Sequence, residues 1–116
     1  MNPQILLVDD DSATQFGFSK YLSAVGYDVE TAGTLAEARK KVNARRFDAV
    51  LLDLKLPDGS GLEWIPELRK AYPSVAVVVI TGTGDIEKAV DAMQKGADNL
   101  LTKPVDMDEL DMFLRK

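Results

Sequence analysis

The sequence contains no cysteine and no histidine. The first absence excludes disulfides and thiol catalysis. The two together exclude zinc sites of the usual type and histidine-based triads within this chain. A chain without disulfides suits a reducing compartment, and a cytoplasmic setting is the expectation. No apolar run is long enough to span a bilayer, so no membrane role is expected. The chain enters a strand almost at once, so no signal peptide is expected either. Positive charge is in short supply. Lys and Arg number 14 against 19 Asp and Glu, giving a net charge of -5 and a pI near 4.7. That balance argues against nucleic acid or an anionic membrane as the direct partner. Internal repeats, low-complexity tracts and linkers are absent as well.

What remains is the composition of one ordinary globular domain: 116 residues, 46% hydrophobic and 28% charged. Such a length buries roughly two-thirds of the unfolded chain's surface around a single core.

Strands and helices alternate along it. Ile5-Leu6-Leu7-Val8 reads as a buried strand that ends in Asp9-Asp10-Asp11-Ser12. A helix follows to about Val25, with Asp11 or Ser12 as its cap, Phe18, Leu22 and Val25 as its apolar stripe, and Gly26 as its stop. Tyr27 to Thr31 alternates and is expected at a sheet edge. Thr34 and Glu37 have capping-box spacing for a second helix, which Arg45-Arg46 close. Ala49 to Asp53 is a third strand, and Pro57 to Gly61 a turn. A third helix runs from about Leu62 to Tyr72, with Pro66 expected in its first turn or at a kink. Val75 to Ile80 is the strongest strand signal, ending at Thr81-Gly82-Thr83-Gly84. Asp85 is expected to cap a helix to about Lys95, with Ile86, Ala89, Val90 and Met93 on one side. Asn99 to Thr102 is a short fifth strand, and Asp106 with Glu109 opens a last helix.

This alternation predicts an α/β domain, a doubly wound five-stranded parallel sheet with helices on both faces. The alternating second strand and the short fifth belong at the edges, the apolar first, third and fourth in the middle. The order 2-1-3-4-5 satisfies this with right-handed crossovers, and it is the flavodoxin-like order. Its ligand site lies beyond the carboxyl ends of the strands, at the switch point between the first and third.

That position has chemical consequences. Asp9 and Asp10 end the first strand, and Asp53 ends its neighbour. Three carboxylates in one cleft cannot all stay ionised unaided, and a hard divalent ion with oxygen ligands, Mg²⁺, answers the problem. The fourth strand delivers the hydroxyl of Thr81 and the fifth the ammonium of Lys103. Carboxylate, metal, hydroxyl and ammonium together suit a phosphoryl group attacked by Asp53.

Four segments carry a resemblance to a known family: Leu7-Val8-Asp9-Asp10-Asp11, Leu51 to Gly61 through Asp53 and Pro57, Ile80-Thr81-Gly82, and Thr102-Lys103-Pro104. Together they resemble the signature blocks of bacterial two-component response-regulator receiver domains, in the right order and across essentially the whole chain. The resemblance implies that Asp53 is the aspartyl-phosphate site. It implies that Asp10 binds Mg²⁺ directly, Asp9 mainly through water, and the backbone carbonyl of Lys55 as a further ligand. Thr81 would hold the phosphoryl group and turn inward on activation. Lys103 would pair with phosphoryl oxygens, with a cis bond to Pro104. The donor would be a phosphohistidine on a sensor histidine kinase.

The signal would pass to the chain's own effector domain or a partner, through the face built from the fourth helix, fifth strand and last helix. That face would also serve a homodimer. The stretch from Ile80 to Asp85 and the region from Gly96 to Leu110 look most like receivers of sigma-54-dependent AAA+ transcriptional activators. On this reading residues 1–116 are a single receiver domain, excised from the N-terminus of a longer regulator. A stand-alone receiver shuttle is the alternative.

One position departs from the pattern. Receivers commonly carry Tyr or Phe three residues before the lysine, and here Leu100 stands there. Two other classes compete. A Mg²⁺-dependent phosphatase with an aspartate nucleophile would want a second acid where Lys55 stands. A flavodoxin-like flavin binder has only the fold in its favour. Asp11 and Ser12 are read as helix cap, Asp58-Gly59-Ser60-Gly61 as turn, and Trp64 and Phe16 as packing or surface.

Overall fold

The structure, a computed structural model, describes residues 2–82 and 85–115, without the side chain of Ile86. The turn expected at Thr83-Gly84 and the side chain of Ile86, expected on one side of the fourth helix, lie outside the described residues. The elements in chain order are β1 (Gln4–Val8), α1 (Ser12–Ala24), β2 (Asp28–Ala32), α2 (Leu35–Ala44), β3 (Ala49–Asp53), β4 (Lys55–Leu56), β5 (Gly59–Ser60), α3 (Gly61–Ala71), β6 (Ala76–Thr81), α4 (Ile86–Gln94), β7 (Asn99–Thr102) and α5 (Met107–Leu114).

The main sheet is parallel, in the order β2-β1-β3-β6-β7. Counting only its own five strands, this is the order 2-1-3-4-5. The small antiparallel hairpin β4-β5 lies outside it. Alternation along each central strand feeds two separate cores. Leu6, Val8, Val50, Leu52, Val77 and Val79 face the side covered by α2, α3 and α4. Ile5, Leu7, Leu51, Val78 and Ile80 face the side covered by α1 and α5, where Phe18, Leu22 and Leu110 meet them. Both faces of β1, β3 and β6 are therefore buried, which explains their unbroken apolar runs.

Local chemistry sets most helix ends. Asp11 caps α1, accepting from the Thr14 amide at 3.1 Å and from its hydroxyl at 2.6 Å. Gly26, at φ 105°, takes the left-handed conformation that ends this helix, and the Tyr27 amide closes back to the Leu22 carbonyl at 3.0 Å. Asp106 caps α5 through the amides of Asp108 and Glu109.

Four expectations are corrected. Val25 is 38% exposed and leaves the stripe of α1, because the helix ends at Ala24. Pro66 is the sixth residue of α3, past the first turn. It lies on the exposed side, while Trp64, Ile65 and Leu68 are buried and hold the helix by packing despite the lost amide. Thr34 accepts from the Glu37 amide at 3.1 Å, but the Glu37 carboxylate lies 3.9 Å from Lys41, one turn on. The side chain of Asp85 makes no cap hydrogen bond to α4, and its carboxylate instead lies 3.7 Å from Lys55 Nζ.

Candidate functional site

The sheet order brings the C-terminal ends of β1, β3, β6 and β7 to one edge, and with them Asp9, Asp10, Asp53, Thr81 and Lys103. Asp53 closes β3, next to the end of β1, whose Val8 pairs with Leu52. Thr81 closes β6 and is paired with Thr102 of β7, and the Lys103 amide donates to the Thr81 carbonyl at 2.8 Å. Among the described residues, Asp9, Asp53 and Thr81 are the buried polar or charged ones, at 1%, 8% and 2% exposure. All three sit on this edge. Burial of charged groups is costly unless they are paired and hydrogen-bonded, and the two acids are both.

The carboxylates of Asp9, Asp10 and Asp53 each offer an oxygen, and these oxygens lie within 4.8 Å of one another. Lys103 Nζ stands between two of them, donating to Asp53 Oδ2 at 3.0 Å and to Asp9 Oδ2 at 3.3 Å. The second oxygen of each buried acid meets a backbone amide. Asp9 Oδ1 accepts from Asp11 at 2.8 Å, and Asp53 Oδ1 from Lys55 at 3.0 Å. Gln15 fixes the backbone of the same corner, donating to the Asp9 carbonyl at 2.6 Å. The Lys103-Pro104 bond is cis.

The electrostatics follow from this crowding. Burial pushes the Asp9 carboxyl above the ordinary carboxylate range. The charge of Asp53 adds to the shift, while the Asp11 amide and Lys103 oppose it. Burial by itself disfavours the Lys103 ammonium. The hydrogen bond that it donates to Asp53 and the charges of Asp53 and Asp9 outweigh it, and the pKa ends above the usual lysine value.

The residues fit a divalent cation. Three carboxylates against one ammonium leave a formal charge of -2. The donors are hard oxygens, and Asp10 is exposed while Asp9 and Asp53 are buried, so a cation would be half sunk and half hydrated.

Three supporting residues had no site role in the sequence reading. Asp58, in the turn between β4 and β5, reaches 23 residues back and accepts from the α2 amides of Leu35 at 2.8 Å and Ala36 at 3.0 Å. Gly61 opens α3 so close to β3 that a Cβ would stand 2.8 Å from the Asp53 carbonyl oxygen. Gln15 is the third. Only Gly61 had a visible signal, as a glycine directly after the Asp-Gly-Ser turn. The partners of Asp58 and Gln15 depend on folded geometry.

The sequence pattern of the response regulator receiver domain matches residues 5–115. The chain belongs to that family, a receiver domain of two-component response regulators. It is 39% identical over 113 residues to the alginate biosynthesis transcriptional regulatory protein AlgB of Pseudomonas putida, covering 97% of this chain and 25% of AlgB. It is 35% identical over 104 residues to the luminescence regulatory protein LuxO of Vibrio campbellii, covering 90% of this chain and 23% of LuxO. The chain thus spans about a quarter of the length of these curated relatives. A response regulator from Burkholderia pseudomallei, crystallised with a phosphorylated aspartic acid, calcium ion and citrate, matches with a TM-score of 0.90 and 33% identity, over 97% of this chain and 66% of that one. Among the described residues no helix is long and apolar enough to cross a membrane.

Proposed function

We propose that Asp53 accepts a phosphoryl group and that this chain is the input switch of a longer transcription regulator. The observation that carries the reading is the coincidence of buried polar groups. Asp9, Asp53 and Thr81, with Lys103 bridging the two acids, occupy one sheet edge in a chain of the receiver family.

The step is a phosphoryl transfer. An oxygen of the Asp53 carboxylate attacks phosphorus, the bond from phosphorus to the donor nitrogen breaks, and the electron pair leaves with the imidazole of a kinase phosphohistidine, whose other ring nitrogen carries the proton that leaves the histidine neutral. Asp9, Asp10, Asp53 and the backbone carbonyl of Lys55 would hold Mg²⁺, which offsets negative charge on the phosphoryl oxygens. The Lys55 amide already orients one oxygen of Asp53. Lys103 is placed to move from the carboxylates to a phosphoryl oxygen, and the Thr81 hydroxyl lies on the same edge. The products are an aspartyl phosphate and a neutral histidine. Lys55 stands where a hydrolase would want a second acid, which favours a held phosphoryl group over turnover.

The cytoplasm, a sensor histidine kinase as donor and an effector domain linked after residue 116 complete the proposal. So does relay or homodimer formation through α4, β7 and α5. Its support is the family together with relatives whose names describe transcriptional and luminescence regulators. Membership of the sigma-54-dependent AAA+ group is part of the same proposal.

Acetyl phosphate with Mg²⁺ tests the reading. Intact mass should show a single phosphoryl addition that Asp53→Asn abolishes. Uptake by Asp53→Asn at the wild-type rate would overturn it.

A further inference from the structure

Two groups at the rim of the site are not used by that chemistry. Lys55 Nζ lies 3.7 Å from Asp85 Oδ2, and the Lys55 side chain is 72% exposed. Asp85 occupies the cap position of α4 yet makes no cap hydrogen bond. Its carboxylate is therefore turned from the helix amides toward the loop that follows the acceptor. Lys55 is bound to that acceptor through its own backbone, since its amide donates to Asp53 Oδ1.

We propose that Lys55 and Asp85 form a charge-exchange latch that reports phosphorylation of Asp53 to the N-terminus of α4. The proposal rests on the phosphoacceptor reading above. Without a phosphoryl group, Lys55 holds Asp85 away from α4. Phosphorylation replaces a carboxylate by a phosphoryl dianion, a gain of about one negative charge two residues from Lys55. The Lys55 ammonium then turns to the phosphoryl oxygens. A long, exposed ion pair is weak enough to exchange. Asp85, freed, rotates onto the amides of the first turn of α4, where a carboxylate is favoured by both hydrogen bonding and the helix dipole. Both arrangements satisfy the Asp85 carboxylate, which makes the element two-state.

The other end of α4 is fastened. Arg69 donates to the Gly96 carbonyl at 3.2 and 2.8 Å, to the Val75 carbonyl at 2.6 Å, and to the Asp98 carboxylate at 2.6 Å. Asp98 in turn accepts from the Val77 amide at 2.8 Å. A change at Asp85 therefore moves α4 about a fixed C-terminal end. The moving part lines a groove of about 260 Å³ with Thr81, Val90, Met93 and Leu100. Leu100 replaces the aromatic residue expected there, and the latch gives phosphorylation a route to α4 that needs no ring.

Hydrogen exchange of the first-turn amides of α4 tests the latch, with beryllium fluoride and Mg²⁺ as the phosphoryl mimic. In the wild-type chain, loading should slow exchange about fivefold. Lys55→Met should show slowed exchange before loading and little further change. Asp85→Asn, which keeps the cap and loses the pair, should do the same. Asp85→Ala should exchange fast in both states. Lys55→Met indistinguishable from wild type in both states would overturn the latch. Acetyl phosphate uptake, followed by intact mass on the same samples, separates the two levels. No uptake by the wild type sinks the phosphoacceptor reading, whereas uptake without any change in α4 sinks the latch alone.

Discussion

Lys103 follows β7 and Asp53 ends β3, two strands that are not neighbours in the sheet, yet the Lys103 ammonium lies 3.0 Å from Asp53 Oδ2. The same ammonium reaches Asp9 at 3.3 Å. It therefore serves as the resident cation of a cleft that also suits a divalent one. Removing it has opposite effects on two measurements. In Lys103→Gln, Mg²⁺ should bind about tenfold more tightly, because one positive neighbour is gone. Phosphoryl uptake should slow about a hundredfold, because a donor aimed at developing charge is lost. Titration calorimetry and intact mass read the two.

Gly61 is required by space. A methyl group there would meet the Asp53 carbonyl oxygen at 2.8 Å and Leu52 Cγ at 3.1 Å, so the backbone of Asp53 itself must shift. Gly61→Ala should cost about 1–3 kcal/mol in chemical denaturation. It should also slow phosphoryl uptake, since the displaced residue is Asp53.

Asp58 ties the loop after the acceptor to α2. The amides of Leu35 and Ala36 hold its pKa below the ordinary 3.8. A depressed carboxylate adds stability that is present above the unfolded value and lost as pH falls through the folded one. Asp58→Asn should therefore melt a few degrees below wild type at neutral pH. The gap should close as the pH drops below 3.8, which thermal melts across an acid series will show.

The groove beside Leu100 is lined by Ala89, Val90 and Met93 of α4. Leu100→Phe fills part of it. The expected result is a gain of about 1 kcal/mol in stability, in line with other cavity-filling changes. Phosphoryl uptake should stay unchanged, because residue 100 precedes the site edge by three positions. Denaturant melts and uptake assays check the pair.

The strand order was legible because period-two burial leaves a different mark on central and edge strands. The unbroken runs of β1, β3 and β6 against the alternation of β2 separate centre from edge, right-handed crossovers are met by the flavodoxin-like order, and that order places Asp9, Asp53, Thr81 and Lys103 together. Contacts between distant segments were not legible. Asp58 looks like an ordinary turn residue until α2 is laid beside it. Asp85 sits where the sequence expects a cap, yet its carboxylate lies 3.7 Å from Lys55 and makes no cap hydrogen bond. Pro66 argues locally for a helix boundary, but the burial of Trp64, Ile65 and Leu68 outweighs one missing hydrogen bond. Local rules fail here where a tertiary partner competes for the same group.

The central claim is that the phosphoryl group resides on Asp53. After loading with acetyl phosphate and Mg²⁺, reduction with borohydride converts an acyl phosphate at residue 53 to homoserine, which peptide sequencing by mass locates. Homoserine at position 53, and nowhere else, is the predicted result. A label on Asp9 or Asp10, or a reduction-resistant phosphate on Ser60 or Thr81, would contradict it.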